Sequence, residues 1–304
     1  MHYSILTALF AATNIPIASA LTKGFFVTAA KDGASSECRN GDDWDKVFKD
    51  LKSLPQKITT VRFITSGACN VLDEAIPAAQ RAGALIFAGV WATGDDNSFD
   101  TEVQALKSAI LKYGSKWLTA VNVGDQDVYR TIQTNSGQGE SASTIVKRIK
   151  QVRSMMTSVG ATQPVGHSEP AATWAKTAAA HGGIIDASDF VGLSDIPFYD
   201  GLNVDDAVTA FLDRLSQAQT TAGNKPIWVT QTGWPVKGAT VKNAVASITN
   251  AQTYWHNVAC RVWNERGITL FWTVYQDYGA STSFGVFPKS GTANYDLKIC
   301  PQPL

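Results

Sequence analysis

Neither sign of charge is in excess, with 26 Lys and Arg against 26 Asp and Glu. A nucleic-acid partner needs a basic field, so this balance argues against a phosphate backbone and, equally, against an acidic membrane surface. An uncharged ligand suits it better. Cysteine is sparse, and the four present, taken with His167, His181 and His256, form no cluster at metal-ligand spacing. No metal and no other cofactor is therefore expected. Long apolar runs are missing beyond the N-terminus, where nothing else approaches the ~18 consecutive apolar residues of a membrane span. The tail 298–304 carries no lipid-anchor signal. No linker, low-complexity tract or charge block divides the chain, so a single domain over 21–304 is expected.

The chain opens on an uncharged apolar run, 3–17, followed by Ala18-Ser19-Ala20. That combination fits a secretory signal peptide over 1–20, which makes the mature protein secreted, extracellular or wall-associated. Four cysteines suit an oxidising compartment and allow two disulfides in three pairings. Cys38 with Cys69 is the favoured pair, since both fall in loops after the first two strands. Cys260 with Cys300 would tie the tail to the last helical layer.

Short apolar or β-branched runs recur at 24–28, 60–64, 85–90, 118–123, 164–167, 190–193, 227–230 and 268–272. Helical periodicities lie between them. Val103, Leu106, Ile110 and Tyr113 form one apolar face; Ile145, Ile149, Val152, Met156 and Val159 form another, closed by Gly160. A third starts at Asn203 as an N-cap and continues through Val208, Phe211 and Leu215. Eight alternations in a chain of this length predict an α/β fold, a single (β/α)8 TIM barrel. A doubly wound open sheet is the other arrangement with this alternation. It would be expected to show a glycine-rich phosphate turn after the first strand, and the segment from Thr28 to Gly33 has none.

Barrels of this type bind ligands at the C-terminal strand ends. Two segments there are informative: Val121-Asn122-Val123-Gly124-Asp125-Gln126, and Ile227-Trp228-Val229-Thr230-Gln231-Thr232-Gly233-Trp234-Pro235. Together they resemble glycoside hydrolase family 17, the β-1,3-glucanases and glucan transglycosylases, from about Gly24 to the C-terminus. In that family the first segment normally ends Asn-Glu, with Glu as general acid/base, and the second reads Glu-Thr-Gly-Trp-Pro, with Glu as nucleophile. This chain has Asp125-Gln126 and Gln231 instead. The resemblance implies a β-glucan polysaccharide or oligosaccharide as partner, bound by a monomer. It also implies that both catalytic carboxylates are absent.

An amide neither attacks an oxocarbenium-like centre nor donates a proton to a leaving group. Three explanations fit: a natural pseudoenzyme that keeps the cleft, an engineered Glu-to-Gln knock-out, or catalysis relocated to Asp125. The altered neighbour Asp125 and the retained leader count against engineering. Relocation needs a local bulge, because adjacent strand residues point to opposite faces. Asp125, Tyr199, Trp234, Tyr275 and Asp277 are the expected substrate contacts, with Trp91 and Tyr278 as further stacking rings. Trp228 and Trp272 lie inside strands and read as core. His167 reads as a satisfied polar residue near the mouth, Glu169 as a rim residue before Pro170, and Asp195 as a turn cap.

Overall fold

The computed structural model describes residues 21–32, 37–133, 138–176 and 181–297. Eight parallel strands close into a barrel in sequence order. They are β1 Lys23–Phe26, β2 Thr60–Arg62, β3 Leu85–Val90, β4 Leu118–Asp125, β5 Val165–Glu169, β6 Val191–Ser194, β7 Ile227–Thr232 and β8 Leu270–Trp272. Closure is made by β1 against β8, with Gly24 opposite Phe271. The closed sheet bears out the (β/α)8 expectation and excludes the doubly wound alternative. The leader 1–20 lies outside the described residues.

The outer helices start where the chain offers caps. In α1, Gly41–Ser53, Asn40 and Asp43 form a reciprocal capping box, and Trp44, Val47, Phe48 and Leu51 turn inward. Further along come α2 Val71–Ala82, α3 Asp96–Tyr113, α4 Asp127–Gln133 and α5 Ala142–Ser158. Of the two periodic faces expected from sequence, Val103, Leu106 and Ile110 are buried on α3 and Ile145, Ile149, Val152 and Met156 on α5, while Tyr113 and Val159, the latter just past α5, are half-buried. Gly160 takes a left-handed φ of 71° just past α5. Asn203 caps the helix Val204–Ala222 by accepting from the amides of Asp205 and Asp206.

The barrel interior is plugged by aromatics. Phe87, Phe190, Trp228 and Phe271 form a separate buried cluster with Ala120. Phe190 and Trp228 stack with centroids 4.4 Å apart and planes 11° apart. Glycine makes room for them: a Cβ on Gly24 would overlap the Phe271 ring, and one on Gly166 would overlap Phe190. Trp228 and Trp272 are core residues, as expected.

Cys38 and Cys69 form a disulfide that joins the segments following β1 and β2. Cys260 is also disulfide-bonded; its expected partner Cys300 lies outside the described residues. Non-reducing peptide mapping should recover Cys38 linked to Cys69. Replacing that pair by serine releases a crosslink of sequence separation 31. Urea unfolding should then show a loss of about 3–4 kcal/mol, the chain-entropy value for a loop of this size.

Candidate active site

The two glutamines come together through a third residue that sequence reasoning missed. Gln126 follows β4 with φ 59°, in the left-handed region, and its amide N–H is held by the Ser168 carbonyl at 2.8 Å. Its Nε2 donates to Ser194 Oγ at 2.8 Å. Ser194, the last residue of β6, donates in turn to Gln231 Oε1 on β7 at 3.2 Å. The polarity follows from chemistry. Gln126 Nε2 also faces the Ser194 carbonyl at 3.5 Å, a group that only accepts, so Nε2 must be the donor end. The hydroxyl has one proton, and it goes to Gln231. Gln126 Oε1 and Gln231 Nε2 are left without a hydrogen-bond partner among the described residues. Both side chains are half-buried.

Three register irregularities fall at this end of the barrel, between Asn122 and Asp125, Leu193 and Ser194, and Val229 and Thr232. Such breaks re-aim side chains beside functional sites. The break on β4 is the bulge that a relocated acid would need, yet it turns Asp125 elsewhere. Asp125 Oδ2 takes Arg62 Nη2 at 2.7 Å in an ion pair whose side chains are 8% and 0% exposed. Arg62 also lies over the rings of Phe26 at 5.6 Å and Phe87 at 5.8 Å. The buried carboxylate is committed to a guanidinium anchored on the aromatic plug. Arg62 stood in a β-branched run, and that lone charge inside a strand was the signal for it.

Glu169 is fully buried rather than at the rim. Its Oε1 and Oε2 accept the N–H groups of Val128 and Tyr129 at 2.8 and 3.1 Å, which caps α4, and Oε1 also faces His167 Nε2 at 2.9 Å. His167 is a satisfied polar residue, as expected. Asp195, expected as a turn cap, instead pairs with Arg214 Nη1 at 3.3 Å. Burial pushes its carboxyl pKa up, and the Arg214 charge pulls it partway back.

Besides Asp125, three more expected substrate contacts are inside the protein. Trp234 is 0% exposed, donates Nε1 to the Val245 carbonyl at 2.9 Å, and packs against Phe198 and Tyr254. Tyr275 is buried under Arg39 and donates its hydroxyl to Asp50 at 2.7 Å. Asp277 accepts from Ser283 Oγ and from the amides of Phe284 and Gly285, which shapes its own loop. A position just past a strand does not tell whether a ring turns toward the cleft or toward the helical layer. Tyr199 is 58% exposed, beside Phe198 and Phe284. Trp91, with Arg130 4.8 Å from its ring, and Tyr278 are half-buried. Among the described residues, no group of three or more His, Cys, Asp or Glu is placed to hold a metal ion.

A closed (β/α)8 barrel with paired polar positions at the ends of β4 and β7 has the layout of a barrel glycoside hydrolase. Residues 26–286 match the BtgE/BtgC glycoside hydrolase domain, and the chain belongs to that family, of the family 17 type. The probable glucan endo-1,3-β-glucosidase of Aspergillus oryzae is 33% identical over 314 residues, covering 96% of this chain and 66% of that protein. The corresponding Aspergillus terreus protein is 33% identical, with 92% and 60% covered. The glucan 1,3-β-glucosidase of Saccharomyces cerevisiae is 28% identical, with 86% of each covered. This chain therefore spans 66% or less of these Aspergillus relatives. An active-site mutant of the Rhizomucor miehei β-1,3-glucanosyltransferase in complex with laminaritriose superposes with a TM-score of 0.75 at 24% identity, covering 90% of this chain and 97% of that one. At that identity the likeness establishes the fold.

Arg62→Leu strands a buried carboxylate, and urea unfolding should register a loss of about 3–5 kcal/mol. Adding Asp125→Leu should recover most of it, because a buried pair replaced by apolar groups is often neutral. Additive losses would mean that the two side chains are not energetically coupled.

Proposed function

We propose that this chain is a secreted, monomeric β-1,3-glucan-binding barrel that keeps the glycosidase cleft and has lost catalysis. The observation that carries the reading is the chain of hydrogen bonds from Gln126 through Ser194 to Gln231. A retaining glycosidase needs two carboxyl groups about 5–5.5 Å apart, one charged and one protonated. In this reading two amides joined through one hydroxyl stand in for that pair, and they supply neither charge nor proton. Gln126 donates toward Ser194, as a protonated acid would, and Gln231 accepts, as an ionised nucleophile would. This polarity supports the reading of a glycosidase cleft without its reactivity. The glucan specificity rests on family membership and on the names of the relatives.

The free acceptor on Gln126 and the free donor on Gln231 can meet sugar hydroxyls, and Tyr199 offers an open ring for an apolar sugar face. Neutral glycans fit a chain without net charge, whereas nucleic acids and membranes do not. A disulfide after β1 supports an extracellular or wall location, and among the described residues no helix is long and apolar enough to cross a membrane. A displaced acid at Asp125 is the competing reading, favoured by the register break on β4 and opposed by the Arg62 pair.

Laminari-oligosaccharides should bind by calorimetry, and Tyr199→Ala should weaken that binding by about 0.5–1.5 kcal/mol, the worth of an aromatic contact. No hydrolysis or transfer product should form. Gln126→Glu with Gln231→Glu should restore turnover, while Gln126→Glu alone should recover little, for want of a nucleophile. Cleavage of laminarin by the unmutated protein, abolished by Asp125→Asn, would overturn the reading in favour of the displaced acid.

A further inference from the structure

The fully buried ring of His167 has accepting groups at both nitrogens. Nδ1 lies 2.6 Å from the Val123 carbonyl on β4, and Nε2 lies 2.9 Å from Glu169 Oε1. A neutral imidazole donates from only one nitrogen, so one of these contacts would be repulsive. A proton on Glu169 Oε1 would weaken that oxygen as an acceptor for the Val128 amide and remove the negative charge that both the Val128 and Tyr129 amides bond to, so the carboxylate with a doubly protonated ring satisfies all four contacts best. From these four contacts we infer that His167 carries a proton on both nitrogens and acts as the positioning residue for the turn between β4 and α4, the turn that aims Gln126 into the cleft. The inference rests on the proposed glucan-binding function.

Every contact in this clamp brackets that turn. Val123 precedes Gly124, which has φ 73°, and Gln126 has φ 59°; Val128 and Tyr129 begin α4 just beyond. Glycine takes a left-handed φ without steric cost, but the left-handed Gln126 costs free energy that the surroundings must offset. An ion pair anchoring both flanks supplies a directional restraint. The other charged group that acts on the ring is Asp127, buried with Thr93 and Arg130 as partners of its Oδ1; Asp125 is held by Arg62. Trp174 meets the ring edge-on and separates it from His181.

The direction of the His167 pKa agrees. Burial pushes it down, but the Glu169 hydrogen bond and charge, then Asp127 and the Val123 carbonyl, outweigh burial and leave it raised. A cation with a raised folded-state value stabilises the fold fully below its ordinary value of about 6.5. That contribution is lost as pH rises through the raised value.

Nitrogen-15 histidine NMR of the whole chain tests this in solution. At neutral pH both His167 nitrogens should show protonated shifts and attached hydrogens; a neutral tautomer there overturns the inference. On raising the pH, the Val128 and Tyr129 amides should lose hydrogen-exchange protection together with the His167 proton. Laminari-oligosaccharide affinity should fall about tenfold over the same range, a difference of about 1.4 kcal/mol. Glu169→Gln should shift this alkaline loss toward neutral pH, whereas an unshifted profile overturns a role through charge. If that variant does not fold, the NMR and exchange measurements on the unmutated chain decide alone. If the unmutated chain binds no glucan at any pH, the functional reading fails, while the same NMR and exchange data still decide the state and role of His167.

Discussion

Every charge taken into the mouth of this barrel must find an opposite charge or a set of hydrogen-bond donors, because an unpaired buried ion costs several kcal/mol. That constraint settles which groups face a ligand. Arg62 takes Asp125 and His167 takes Glu169; Arg130 takes Asp127 and Arg214 takes Asp195. Asp277 is satisfied by a hydroxyl and two amides. Once these pairs are formed, uncharged groups hold the centre of the cleft. Gln126, Ser194 and Gln231 satisfy one another in a single direction and present one acceptor and one donor outward.

The pairs are in turn supported by the apolar layer beneath them. Phe87 belongs to the plug of Phe190, Trp228 and Phe271, and its ring also lies under the Arg62 guanidinium. A cation on an aromatic face keeps part of its stabilisation when water is removed. The short strands β2 and β8 would form a weak sheet in isolation. Closed into a ring and filled with interlocking aromatics, they make a rigid floor for the polar layer. The register breaks occur above this floor, at the strand ends, where a change of aim costs few ladder hydrogen bonds.

Much of this was legible from residue type. Alternating apolar runs and helical faces gave eight strands, with Leu85–Val90 matched at both ends, and the caps at Asn203 and Gly160 followed from backbone preference. The motif positions put Gln126 and Gln231 at the C-terminal ends of β4 and β7. Side-chain direction was not legible. Trp234, Tyr275 and Asp277 sit just past strands, yet the chain folds back over them: Val245 supplies the acceptor for the Trp234 indole, and residues 283–285 wrap around Asp277. Such contacts lie far along the chain or depend on loop path, which periodicity does not encode. Ser194 and the His167 clamp were hidden for the same reason, since each gains its meaning from groups on or just past other strands: Ser194 from Gln126 and Gln231, His167 from the Val123 carbonyl on β4.

On the proposed reading, amides at these two positions also change what the fold has to tolerate. Two carboxyl groups at these positions would interact as like charges, and one of them would have to hold a proton that water would otherwise accept. Catalytic sites keep such arrangements at a cost to stability. With glutamine at both positions, the same heavy-atom geometry is held by ordinary hydrogen bonds, and Ser194 joins a donor to an acceptor without needing a shared proton. Gln126 takes a left-handed φ, so the turn carries the strained backbone common at functional sites although an uncharged side chain is what it aims. A scaffold freed of all ligand constraint could relax that turn. On the proposed glucan-binding reading, a ligand that Gln126 must meet offsets that strain, with the Glu169 cap beneath the turn holding it in place.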